Sequence, residues 1–150
     1  MDSHENITRF DDVAPVSIDR GALQGTRQRL GVAAGTVEVG LSRYVLDAGQ
    51  RAMPAHAHAD QEELIVVLEG DGEVELGNDR YPLRPGCVVA RPPGSGIAHA
   101  LIGGAGGMTY LAYGTRRAHD VCFYPRTQKV DFGNGMIFRL EAVGYFEGES

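Results

Sequence analysis

Apolar and polar residues alternate with period two along most of the chain, which is the signature of strands half-buried on a sheet. From Thr36 to Leu46, Val37, Val39, Leu41 and Val45 share one parity and predict a strand with those side chains inward. Arg43 interrupts that series, at the core edge, facing a pocket, or in a surface salt bridge. Leu64 to Glu69 is a near-continuous apolar run, and Gly70-Asp71-Gly72 reads as a turn after it. Glu73 to Leu76 then alternates, predicting Val74 and Leu76 inward and both glutamates in water. Gly77-Asn78-Asp79 is the next turn signal. Tyr81 and Leu83 continue the pattern to Pro85-Gly86, and Cys87 to Ala90 is a short strand stopped by Pro92-Pro93. Strand character resumes over Ile97 to Ile102, with Ile97, His99 and Leu101 on one face. Gly103 to Gly107 reads as a flexible hairpin loop, and Met108, Tyr110 and Ala112 share one parity of a last core strand.

Many short strands joined by glycine-rich turns predict an all-β barrel or sandwich. At 150 residues, 21 of them glycine, the chain is long enough for one core and too short for two such barrels. The pattern divides it into an N-terminal arm (1–35), a core (36–114) and a C-terminal extension (115–150). Within the extension, Val121 to Tyr124 and Met136 to Leu140 predict extra edge strands outside the core. Aromatic residues at both ends, Phe10, Phe123, Tyr124, Phe138 and Phe146, predict a homodimer that covers them.

A formal net charge of −6 with no Lys/Arg cluster argues against a nucleic-acid partner. No apolar run approaches the ~20 residues that cross a bilayer. The start, MDSHENITRF, lacks a basic-then-apolar signal, and two cysteines, Cys87 and Cys122, suggest reduced thiols in a cytoplasm. The run GGAGG lacks the lysine of a phosphate loop, and no helical pattern follows it.

The chemistry lies in 49–70, GQRAMPAHAHADQEELIVVLEG. His56 and His58 stand two apart, so on a strand their imidazoles point the same way. Glu62 and Glu63 follow a few residues on. Two imidazoles and a carboxylate suit a mid-row divalent metal better than calcium or magnesium. His99 is either a further ligand or a hydrogen-bonded core histidine.

This stretch resembles the first motif of the cupin superfamily, G-x5-H-x-H-x(3,4)-E-x6-G. Gly49 precedes His56 by six residues rather than five, while His58, Glu63 and Gly70 keep the spacing, which selects Glu63 over Glu62. GCVVARPPGSGIAHALIG is similar to the second motif, with Gly86, Pro92, Gly94 and His99. There, four residues rather than two separate Gly94 from His99, and Gly103 stands where the motif closes on asparagine. The resemblance spans about residues 40–114. It implies a single double-stranded β-helix (a jelly-roll barrel) with N- and C-terminal extension strands. It also implies one divalent transition metal, Zn, Mn, Fe or Ni, on His56, His58, Glu63 and His99.

DVCFYPRTQKV and GSGIAHALIG further resemble small single-domain bacterial cupins labelled by analogy as sugar-phosphate isomerases. That implies action on a small oxygen-rich metabolite: a sugar, a sugar phosphate or a hydroxy acid. Isomerisation or epimerisation then needs a base beside the metal, for which Tyr44, Glu62 and Tyr110 are the candidates. An anionic substrate would need Arg43, Arg51 or Arg91 at the mouth. An iron-dependent dioxygenase and a non-catalytic binding or sensor module are the alternatives.

Overall fold

The computed structural model describes residues 4–133 and 135–149, so residues 1–3 of the arm and 134 and 150 of the extension lie outside the description. Eleven strands are seen among the described residues. They are β1 (Val16–Arg20), β2 (Leu23–Gln28), β3 (Val39–Leu46), β4 (Ala57–His58), β5 (Glu63–Leu76), β6 (Asp79–Leu83), β7 (Val88–Arg91), β8 (His99–Thr115), β9 (Cys122–Tyr124), β10 (Lys129–Asp131) and β11 (Ile137–Arg139). One helical turn, α1 (Leu30–Ala33), joins β2 to β3. No described helix is long and apolar enough to cross a membrane.

The larger sheet runs β1-β2-β3-β8-β5-β6, and all its neighbours are antiparallel. The far edge of β5 is shared between β7 over Glu63 to Val66 and β6 over Gly72 to Leu76. A second sheet, β11-β10-β9-β4, carries the histidine pair at its end. An isolated bridge, His56 opposite His99, ties this sheet to the start of β8. The result is a jelly-roll barrel.

Its core is the face of β3, β5 and β8 that carries Tyr44, Leu46, Ile65, Val67, Val74, Leu101, Met108 and Tyr110, with Leu83 from β6. Burying each aliphatic side chain there contributes about 1.5–3 kcal/mol. Within β3 the inward residues are Ser42, Tyr44 and Leu46, the opposite parity from the one the apolar pattern predicts. The outer face is half-covered by α1, which packs on β3, so it too favours apolar residues. Arg43 sits on that outer face, donating to Gln28 Oε1 at 3.0 Å with its guanidinium over Phe10.

Both glycine segments of the core differ from expectation. Gly70-Asp71-Gly72 does not turn the chain back, because β5 runs through it. Gly103 to Gly107 is no loose hairpin loop, because β8 continues through it. The β5–β8 register slips here, from Gly70 opposite Met108 to Gly72 opposite Gly103, a bulge that lets both strands bend around the barrel. Gly70 has φ +72, and a Cβ on it would lie 2.1 Å from the Gly107 carbonyl oxygen. The backbones meet closely enough that only glycine fits.

Three further differences concern the site's surroundings. β8 begins at His99, and Ile97 belongs to the preceding exposed turn rather than to its inner face. Glu75 is buried, not in water, between the guanidinium groups of Arg51 and Arg126. The extension is not outside the motif-bearing region, since β9 pairs with β4, Ala57 opposite Phe123 and His58 opposite Cys122. At the other end the arm adds the β1–β2 hairpin to the main sheet through β3. Gln28 pins the chain before that hairpin by donating to the carbonyls of Phe10 and Val13.

Candidate metal centre

Three backbone devices aim the side chains. His56 N–H donates to the His99 carbonyl at 3.1 Å and His99 N–H to the His56 carbonyl at 2.8 Å, so the two residues are directly opposed and project to one side. His58, two residues on, projects the same way. Glu63 is the first residue of β5, on the inward parity of Ile65 and Val67. Glu62, on the other parity, is exposed, and its N–H donates to Thr115 Oγ1.

The imidazoles are held in defined tautomers. His56 Nδ1 lies 2.8 Å from the Pro54 carbonyl. A carbonyl only accepts, so Nδ1 carries the proton and Nε2 keeps its lone pair. His58 Nδ1 donates to Asp120 Oδ2 at 2.5 Å, with the same result. Asp120 itself is fixed by Oδ1, which accepts from the N–H groups of Asp60 (2.8 Å) and Gln61 (3.0 Å). Burial would raise its carboxyl, but His58 and the two amides hold it below the ordinary value. A carboxylate behind a ligating histidine orients the ring and raises its basicity.

Glu63 Oε2 stands where the three Nε2 atoms converge: 3.0 Å from His99, 3.6 Å from His58 and 3.9 Å from His56. It is buried and without a hydrogen-bond partner, and His99 Nε2 is the nearest of the three ring nitrogens. Burial would push this carboxyl up, yet the imidazoles, His99 foremost, keep it below its usual range and ionised. Burial, with His99 next, lowers His56 to about 4. At neutral pH that imidazole is therefore uncharged, as coordination requires.

Metal bonds of about 2.1 Å place neighbouring donors roughly 3.0–3.4 Å apart in octahedral or tetrahedral sets. The spacing around Glu63 Oε2 meets that at His99 and is wider at His58 (3.6 Å) and His56 (3.9 Å). The donor atoms of His56, Glu63 and His99 all lie within 4.8 Å of one another, whereas His58 joins His56 in a second grouping, with Cys122. Burial pushes the Cys122 thiol up to about 11, so a metal there would have to displace a tightly held proton. The imidazole–carboxylate set therefore fits a divalent metal better.

The cavities define what can approach. An interior space of about 60 Å³ is bounded by Tyr44, Met53, Ile65, Leu101 and Tyr110 beside His56, Glu63 and His99. An outer one of about 300 Å³ reaches His56, His58 and Glu63 past Arg27, Gln61 and Tyr124. Tyr44 and Tyr110 stack at 5.0 Å, and burial raises both phenols, Tyr110 more strongly. Arg51 is committed to Glu75, while Arg91 holds the turn before His99 by donating to the Ile97 carbonyl. Asp120, Tyr124, Arg27 of β2 and Arg29 just after it lie too far along the chain from the histidine pair for motif spacing to expose them.

The depressed His56 value makes metal-free stability depend on pH. Protonating this imidazole favours the unfolded chain, whose histidine titrates near 6.5, so stability is full above that value and falls as pH drops towards 4. The expected loss between pH 7 and 5 is about 2 kcal/mol. Glu63 and Asp120, both depressed, add to the loss at lower pH. Urea midpoints of chelator-treated protein check this, and equal midpoints at pH 7 and 5 would contradict it.

Residues 42–110 match the family model described as "Cupin domain". No curated protein matches the sequence. Among solved structures, a provisionally named sugar phosphate isomerase from Acidithiobacillus ferrooxidans is similar at 22% identity and TM-score 0.81, over 93% of this chain and 97% of its own. A cupin-superfamily sugar phosphate isomerase from Silicibacter pomeroyi is 23% identical with TM-score 0.78, over 87% and 90%. The polyketide cyclase RemF from Streptomyces resistomycificus is 24% identical with TM-score 0.62, over 73% and 78%. At these identities the likeness is one of fold.

Proposed function

We propose, the chain being a cupin-superfamily protein, that it holds one divalent transition metal on His56, His58, Glu63 and His99. With it the protein acts on a small oxygen-rich metabolite, a sugar, sugar phosphate or hydroxy acid, and the reaction we propose is isomerisation or epimerisation, which asks only Lewis acidity of the metal. The observation that carries this reading is the buried Glu63 oxygen, without a hydrogen bond and ringed by three imidazole nitrogens.

The metal would supply Lewis acidity at a substrate carbonyl or hydroxyl. The protein's own groups do the rest. Asp120 keeps the His58 ring turned to the centre. Met53, Ile65 and Leu101 keep water from the inner side. Tyr44, protonated at neutral pH, suits donation to a substrate oxygen rather than removal of a proton from carbon. The same argument applies more strongly to Tyr110. Glu62 is exposed and is absent from the linings of these cavities. The two free thiols suit a cytoplasmic setting.

A panel of zinc, manganese, nickel and iron forms, screened on sugars and hydroxy acids with oxygen uptake recorded, tests the reading. Turnover by several metals without oxygen supports it. Activity confined to iron and dependent on oxygen would identify a dioxygenase, and binding without turnover a sensor.

The protein is further proposed to be a homodimer. Phe10, Phe123, Phe138 and Phe146 are between 41% and 81% exposed, and β1 leaves a sheet edge free. Sedimentation at micromolar concentration is expected to give twice the 16.1 kDa chain mass. A single species at the chain mass would refute it.

A further inference from the structure

We infer that Arg27, Arg29 and Arg116 form an oxyanion subsite beside the histidine cluster, and that it receives the phosphate monoester end of the substrate. This rests on the metal-site reading above and narrows its substrate class. The three side chains line a cavity of about 190 Å³ together with Ser42, Tyr44 and Glu63. Glu63 and Tyr44 also border the two cavities at the histidines, so the spaces adjoin. One small molecule can therefore place an oxygen at the cluster and an anionic end among the guanidinium groups.

The charges there are unspent. Arg51 and Arg126 pair with Glu75, Arg80 with Glu73, Arg117 with Asp60 and Arg9 with Asp11. None of the ion pairs among the described residues involves Arg27, Arg29 or Arg116. Arg20, Arg43, Arg84, Arg91 and Arg139 are likewise outside those ion pairs, and what sets these three apart is that they meet in one cavity, where together they call for an anion from outside. Glu63 is the sole carboxylate in the lining, and its charge is turned to the imidazoles.

Arg27 is also set in position. Its Nε donates to the buried Ser42 Oγ at 3.1 Å, and its guanidinium lies 5.5 Å over the Tyr44 ring. The outer N–H groups are thus presented without further loss of rotamer freedom, as bidentate oxyanion recognition requires. Three guanidinium groups match the dianion and three terminal oxygens of a phosphate monoester better than a single carboxylate.

The test is calorimetric titration with inorganic phosphate at low ionic strength, run on metal-free protein so that no metal can hold the anion. Saturable binding is expected, with acetate at least about tenfold weaker. Arg29→Ala/Arg116→Ala removes two exposed side chains and their charge-assisted hydrogen bonds, which predicts a drop in phosphate affinity of about tenfold or more. Arg27→Lys, which keeps the charge but loses the fork, is expected to weaken phosphate as well. No saturable binding to the parent protein, unchanged affinity in the double variant, or acetate binding as tightly as phosphate would each overturn the inference. Failure of the metal reading is separable. The arginine variants should retain metal, whereas His56→Ala/His99→Ala should lose metal and keep phosphate.

Discussion

Alanine in place of both His56 and His99 will leave the purified protein without stoichiometric metal. Structural zinc sites bind with an apparent free energy of about 10–16 kcal/mol, so four donors share it at roughly 3 kcal/mol each. Losing two predicts an affinity about 10⁴-fold lower, beyond what survives dialysis against chelator. The geometry also predicts a graded series. Asp120→Asn keeps the His58 ligand but offers Nδ1 a neutral partner in place of a carboxylate. Such changes behind a ligand cost about 10–100-fold. Glu62→Ala, on an exposed side chain, should change nothing. Elemental analysis after dialysis reads all three, and full metal in the double variant would end the four-ligand assignment.

The largest expected effect on stability is at Gly70, far from any ligand. An added Cβ meets the Gly107 carbonyl oxygen at 2.1 Å and the Met108 Cα at 3.1 Å, and both obstacles are backbone. The left-handed φ of +72 adds its own penalty of about 1–2 kcal/mol for a non-glycine residue. Relieving the clash moves β5 against β8, so Gly70→Ala is expected to cost at least about 3 kcal/mol in total. Gly86 is the control. Its φ is +88 with open space around it, so Gly86→Ala should show the conformational penalty alone. Denaturant midpoints would separate them, and equal losses would mean that the close strand approach is not what requires glycine at 70.

The part of the site that is local in sequence was the part that could be read from it. His56, His58 and Glu63 fall within eight residues, where strand periodicity and motif spacing suffice to place them on one face. The partners that complete the arrangement arrive through long-range pairing. Asp120 meets His58 across 62 residues, by way of β9 lying on β4. Its neighbourhood in sequence, RRAHDV, carries no pattern that marks it. Arg27 of β2 and Arg29 just after it are hidden in the same way. They are near the cluster because β2 adds to β3, a pairing that a terminal arm does not advertise.

Fold class was legible in the alternation, while the glycine runs were not. Glycine serves equally for a turn and for backbones passing at close range, and only the contact distances distinguish Gly70 and Gly103 as the second kind. The parity of β3 was misread because apolar residues occupy both of its faces when both are covered. Glu75 was assigned to water because nothing in Glu73-Val74-Glu75-Leu76 reveals that Arg51 and Arg126 enclose one glutamate and not the other.

The pairing of β4 with β9 also sets a timetable. His99 must be synthesised before it can bridge to His56, and Asp120 and Cys122 before His58 has its partner and its strand neighbour. A chain emerging from the ribosome therefore carries His58 for more than sixty residues of elongation before its partners in the extension are made. During that interval the pair is a weak, exposed chelator without its orienting carboxylate. For the proposed metal, tight capture would be postponed until the sheet closes. Loading of that metal would then report completed folding.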